Sequence, residues 1–245
     1  MQNIQPQFQL SRNQWILIFS VAVFSGMIAF LLWFQKGIDF SVLVAHNAVR
    51  EIIPVVNIAQ AFTSFGMTAI SVVVFAYLIL AQVNGKFKNA QIIALVILFS
   101  FAVAGIAGDL LKEVFNRARP MAEYGEFINV NTMPGTPSFP SGHATKSLAL
   151  VVPFLFFISN KNWVNKITKY LLALIAIGVC YSRILLGKHY LSDVIAAIGV
   201  VFICLPLVVF IANKILKAVP PDQLPKACRI WAVVLLALSV LLIFM

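Results

Sequence analysis

Between Trp15 and Phe34 the chain runs for a full helical span without one charged side chain, and uncharged apolar runs of similar length recur along most of its 245 residues. The hydrocarbon core of a bilayer is crossed by about 20 apolar residues in a helix. A helix also satisfies its own backbone hydrogen bonds where no water is present. The runs therefore restrict the chain to a bundle of membrane helices. Composition agrees: 61% of residues are hydrophobic and 11% charged, against about 45–50% and 25% in soluble domains. The first run exceeds the 7–15-residue core of a signal peptide and reads as an uncleaved span. Cys180, Cys204 and Cys228 lie in or beside apolar runs, which excludes a disulfide framework.

Further spans are expected at Phe62–Ala81, Gln91–Arg117, Ser141–Ser159, Tyr170–Leu186 and His189–Asn213. Asp39 to Ile53 mixes Asp39, His46, Arg50 and Glu51 with apolar residues, as a helix lying in the interface or a re-entrant segment does, and Pro54 is expected to end it. After the linker Lys217–Lys226, with Pro220, Pro221 and Pro225, the run Ile230–Met245 leaves room for a seventh span. The expected fold is an all-α membrane protein. It comprises a six-helix transmembrane bundle in one domain, 1–245, with its core at 58–216, an interfacial helix after the first span and an extra C-terminal span at 228–245.

The net charge is +10, yet no basic run is interleaved with exposed aromatics, so nucleic acid is not an expected partner. With the N-terminus in the cytoplasm, the inner side carries ten Lys and Arg against one acid, Asp222, and the outer side eight against seven. That bias favours the N-terminus inside, and it strengthens if some outer cations have another purpose.

The polar residues at span ends supply that purpose. Lys112 and Arg119-Pro120 close the third span, Pro140-Ser141-Gly142-His143 opens the fourth, Ser182-Arg183 closes the fifth, and His189 and Asp193 open the sixth. Alternating topology puts all four clusters on the outer face. Charges at membrane depth are costly and default to function. Lys112 and Arg119 are seven apart, two turns on one helix face, and Pro120 is expected to stop that helix. Ser141 and Gly142 at a helix start offer free N–H groups to an anion. Asp193, one turn from His189, can hold the imidazole in one tautomer. Two histidines allow one to attack phosphorus while the other protonates a leaving oxygen.

Lys112, six residues, Arg119-Pro120; Pro140-Ser141-Gly142-His143; and Ser182-Arg183, five residues, His189, three residues, Asp193 together resemble the three-part signature of the type 2 phosphatidic acid phosphatase family. The resemblance implies that His189 is the nucleophile, oriented by Asp193, and forms a phosphohistidine. It implies that His143 is the general acid, and that Lys112, Arg119, Arg183, Ser141 and Gly142 bind the phosphoryl oxygens. Neither a metal nor another cofactor is expected, since three cations supply the charge that Mg²⁺ gives other phosphoryl-transfer enzymes.

The expected activity is hydrolysis of a lipid phosphomonoester or pyrophosphate: undecaprenyl pyrophosphate, phosphatidylglycerol phosphate, phosphatidate or a lipid A phosphate. The partners are that lipid phosphate and membrane lipids. The expected location is a bacterial inner membrane, with the site on the periplasmic or extracellular face. A lipid phosphotransferase would share every motif, and a lipid transporter would instead spread polar residues along a path through several spans. Arg117, Lys146 and Lys188 are further cations that either touch substrate or meet head groups. His46 reads as an interfacial polar residue, and Asp109 and Glu113 as partners of nearby cations. Met121–Phe139, with Glu123, Tyr124, Glu126 and Pro134-Gly135, reads as a lid.

Overall fold

The computed structural model describes residues 8–83, 90–128 and 135–220 and the single positions 226, 230, 233, 234 and 237. Helix α1 (Arg12–Phe34) starts at a capping box in which Gln14 N–H donates to Ser11 Oγ at 3.2 Å and Ser11 N–H to Gln14 Oε1 at 2.8 Å, satisfying two otherwise orphaned donors. A short helix, α2 (Lys36–Ala48), follows, with Asp39, Leu43 and Asn47 on one buried stripe, the four-residue spacing of a helix face. A single 3₁₀ turn, Val49–Glu51, then leads into α3 (Ile53–Val83). Pro54 does not terminate the interfacial segment as expected. It sits in the first turn of α3, where its missing N–H costs nothing.

Helix α4 (Ala90–Phe115) ends two residues before Arg117. Asn116 takes φ 39° and its N–H donates to Lys112 O at 2.8 Å, a left-handed helix stop that Asn tolerates better than most residues. Lys112 and Arg119 therefore do not share a helix face, and Pro120 stops nothing. It is the first residue of α5 (Pro120–Tyr124).

Helix α6 (Gly142–Phe157) is followed by α7 (Trp163–Leu185), which begins well before the expected Tyr170. Asn162 caps it through Asn165 N–H at 2.7 Å. Lys169, on its second turn, turns back to donate to Leu155 O and Asn160 Oδ1. Gly187, at φ 66°, reverses the chain. Then α8 (Leu191–Ala218) begins past His189, which lies in the turn and not on the helix.

The described residues contain helices and no strands. Helices α1, α3, α4, α7 and α8 are long and apolar enough to cross a bilayer, whereas α6 has 16 residues and falls short of that length. Among the described residues the structure thus offers five helices of full spanning length, where six spans were expected. The 228–245 segment lies almost wholly outside the described residues, as do 129–134 of the expected lid.

Helix α1 packs on α8, α3 on α7, and α4 between α6 and α8. Small residues allow these approaches in the absence of a hydrophobic driving force within lipid. A Cβ on Gly199 of α8 would lie 2.8 Å from Ser25 Oγ of α1, and one on Gly178 of α7 would lie 2.4 Å from the Phe62 ring of α3. The core between α3, α4, α6 and α7 is filled by Ile70, Val74, Ile97, Leu150, Phe154 and Leu172.

Candidate active site

The ends of α4, α6, α7 and α8 meet at one rim of the bundle, and hydrogen bonds join segments far apart in sequence. The Arg119 guanidinium is held by Thr136 O at 2.7 Å, Thr136 Oγ1 at 3.0 Å and Lys188 O at 3.0 Å, and its Nη1 lies 3.2 Å from His189 Nε2. A guanidinium can only donate. Nε2 must therefore be the accepting nitrogen, and the ring proton sits on Nδ1. On that side Asp193 Oδ2 lies at 3.3 Å and Ser138 Oγ at 3.3 Å. The network thus assigns the tautomer: a lone pair on Nε2 faces the cations, backed by a carboxylate. His189 is 1% exposed, and burial pushes its imidazole down to about 4, against the opposing pull of Asp193.

Ser141 N–H donates to Asp193 O at 3.1 Å, fixing the start of α6 against the start of α8. This amide is thereby occupied, while the following first-turn N–H groups of α6 have no partner within the helix. A Cβ on Gly142 would lie 3.0 Å from Lys112 Nζ, so glycine here admits the ammonium close to the helix start. Lys112 also meets Asp109 Oδ1 at 3.4 Å. His143, half-buried on the first turn of α6, has Arg183, His189, Lys146 and Arg119 as electrostatic neighbours. Arg183 is 5% exposed and donates through Nη1 to Thr63 Oγ1 at 2.9 Å. Among the described residues its Nε has no partner, and neither does the buried Ser141 Oγ. Buried polar groups are nearly always paired. Two orphans, one on a cation and one on a hydroxyl at a helix start, are groups that an anion would complete.

All eight residues picked from the sequence therefore lie in one neighbourhood. The ambiguous cations separate. Lys188 shares surroundings with Arg183, Arg119 and Arg50, and Lys146 is a neighbour of His143. Arg117 is turned into the protein. It is buried, donating to Asp193 Oδ1 at 2.7 Å, Ser192 Oγ at 2.6 Å and Asp39 Oδ2 at 2.9 Å, with its guanidinium 3.9 Å from the Tyr190 ring centroid. His46 bonds Val42 O on its own helix and packs on Tyr181. Glu123, expected in the lid, accepts from the Tyr190 hydroxyl at 2.5 Å and so anchors α5 to the site. Among the described residues, no His, Cys, Asp and Glu form a metal-holding group.

Sequence reasoning missed Ser138, Thr136, Thr63 and Ser192, single hydroxyl residues with no periodic signal. It also placed Asp39 outside the site. A carboxylate within an apolar segment was the available sign, because such a group needs a buried partner.

The model of the PAP2 superfamily matches residues 93–217, and the chain belongs to that family. A lipid A 1-phosphatase from Rhizobium johnstonii is 29% identical over 197 residues, covering 73% of this chain and 77% of the relative. An undecaprenyl-diphosphatase from Sulfolobus acidocaldarius is 28% identical over 187 residues, covering 74% and 82%. The crystal structure of a transmembrane PAP2-type phosphatidylglycerolphosphate phosphatase from Bacillus subtilis shares the fold. Its TM-score is 0.60 at 19% identity, over 83% of this chain and 98% of that one. With five apolar helices of spanning length among the described residues, the protein is an integral membrane protein.

Proposed function

We propose that the protein is a membrane lipid phosphatase that works through a phosphohistidine. The observation that carries this reading is the buried His189, whose Nε2 lone pair faces Arg119 while its Nδ1–H donates to Asp193 Oδ2. Nε2 attacks phosphorus. The bond to the leaving alcohol or phosphate oxygen breaks, and His143 gives that oxygen a proton. Burial and the neighbouring Arg183, His189, Lys146 and Arg119 hold its imidazole down to about 3, and it takes up that proton when the substrate phosphate offsets those cations. A water then attacks the phosphohistidine, passes a proton to His143 and releases phosphate with His189 neutral again. Lys112, Arg119 and Arg183, with Ser141 Oγ and the Gly142 amide, hold the equatorial oxygens and stabilise the charge they gain.

Three cations at one rim make a metal unnecessary to this scheme, and the substrate is a phosphomonoester or pyrophosphate of an amphiphile. The named relatives, a lipid A 1-phosphatase and an undecaprenyl-diphosphatase, support that class. The outer-face charge pattern supports a site on the non-cytoplasmic side with the N-terminus inside.

The test is phosphate release by the purified protein from lipid A, undecaprenyl pyrophosphate, phosphatidylglycerol phosphate and phosphatidate in EDTA. The expected result is release from at least one of them, abolished by His189→Ala. A strict need for Mg²⁺, or near-normal turnover by His189→Ala, would overturn the reading. Transfer of the phosphoryl group to a second lipid, without free phosphate, would identify a phosphotransferase.

A further inference from the structure

Beside the rim that carries His189 and its cations, a groove of about 420 Å³ lies between α1, α4 and α8, within the roughly 300–1,000 Å³ of ligand clefts. We infer that this groove holds a hydrocarbon chain of the lipid whose phosphate occupies the pocket, an inference that rests on the lipid phosphatase reading above.

Three of its lining residues adjoin pocket residues on three different segments. Leu111 precedes Lys112, Phe139 follows Ser138 and lies two residues before Ser141, and Ala196 is one turn beyond Asp193. The groove thus begins on the same three segments that carry Lys112, Ser138 and Asp193. On α1 the lining runs from Trp33 at that rim to Ala22, eleven residues at 1.5 Å each or about 16 Å. That is about half of a ~30 Å hydrocarbon core, the depth of one leaflet. A chain descending from a head group at the rim ends where the groove ends.

The groove is not loose packing. Next to it α1 and α8 meet so closely that a Cβ on Gly199 would touch Ser25. Its floor is made of small buried residues, Ala29 and Ala196, and its sides of Phe30 and Ile203, more than half exposed to lipid. At Gly26, which also lines it, an added Cβ meets no atom of the described residues within 4 Å. A chain tethered by its own phosphate would enter the groove at a high effective concentration compared with bulk lipid.

The experiment compares dipalmitoyl phosphatidate with p-nitrophenyl phosphate, which has no chain, in wild type, Gly26→Phe, Gly26→Leu and, as a control on the lipid-facing surface of α1, Ile16→Phe. In Gly26→Phe the ratio of kcat/KM for phosphatidate to that for p-nitrophenyl phosphate should fall about tenfold or more, since several methylenes lose their contacts. Gly26→Leu should fall between that variant and wild type, and Ile16→Phe should keep the wild-type ratio. An unchanged ratio in both Gly26 variants overturns the groove, as does a wild type with no preference for phosphatidate. A wild type that releases phosphate from neither compound, nor from the lipids named above, overturns the phosphatase reading instead. If Gly26→Phe splits a dimer in light scattering with the ratio unmoved, a second copy occupies the groove and the inference is wrong.

Discussion

Asp193 accepts from His189 Nδ1, Ser138 Oγ, Tyr190 N–H and Arg117 Nη1. Four donors on a fully buried carboxylate keep it ionised and fixed. In the proposed mechanism its replacement by Asn removes the acceptor that sets the tautomer. Asp193→Asn should then lower kcat by about 10³–10⁴, as loss of an orienting carboxylate does elsewhere, with little change in KM. Retained kcat in steady-state kinetics would remove Asp193 from that role. Arg117 bridges Asp193 to Asp39, both almost fully buried. Arg117→Gln leaves two carboxylates short of their cation and should destabilise the protein by about 3–5 kcal/mol. Asp39→Asn with Arg117→Gln should cost less than the sum of the single changes in thermal unfolding in detergent, because the two residues are coupled. His189 must be neutral to attack, and burial holds its imidazole at about 4. Activity that depends on it is lost only as pH falls through that value, so the acid limb of the kcat profile should lie well below the ordinary imidazole value of about 6.5. A limb at the ordinary value would mean that His189 is hydrated in the working enzyme.

Single elements decide where those side chains point. Asn116 is the hinge between α4 and the segment bearing Arg117 and Arg119, and its φ of 39° is costly for a β-branched residue. Asn116→Val should lower stability by about 1–2 kcal/mol and reduce activity by displacing both arginines, while Asn116→Gly should be tolerated. Thermal unfolding and phosphate release measured together test this, and equal behaviour of the two variants would contradict it. The spacing of Lys112 and Arg119 looks like one helix face, and the residue that breaks the face is Asn116, a helix-stop residue type that the seven-residue spacing outweighs in the sequence. The short helix α2 is the converse case. Its apolar-and-charged pattern was legible as interfacial, but its buried stripe of Asp39, Leu43 and Asn47 is also tied to the core, with Asn47 Nδ2 donating to Leu185 O at 3.0 Å. A carboxylate on that stripe was visible in the sequence, whereas its partner 78 residues away was not.

At the scale of the whole molecule, the proposed orientation predicts that Gly37→Cys, at a position with open space around it, reacts with an impermeant maleimide in intact cells, while Lys161→Cys reacts only after lysis. The reverse pattern would place the pocket on the cytoplasmic side. Long uncharged runs determined that the chain is a helical membrane protein, because a backbone in hydrocarbon has few ways to satisfy itself. Alternation of spans placed the four polar clusters on one face, and the structure brings them to one rim. Only the tertiary structure decided which cation faces His189 Nε2 and which is buried under Asp193, that Ser138 joins the pair, and that a groove runs down α1 from the rim. These outcomes rest on contacts between residues remote in sequence, and such contacts leave no periodicity in the chain to read.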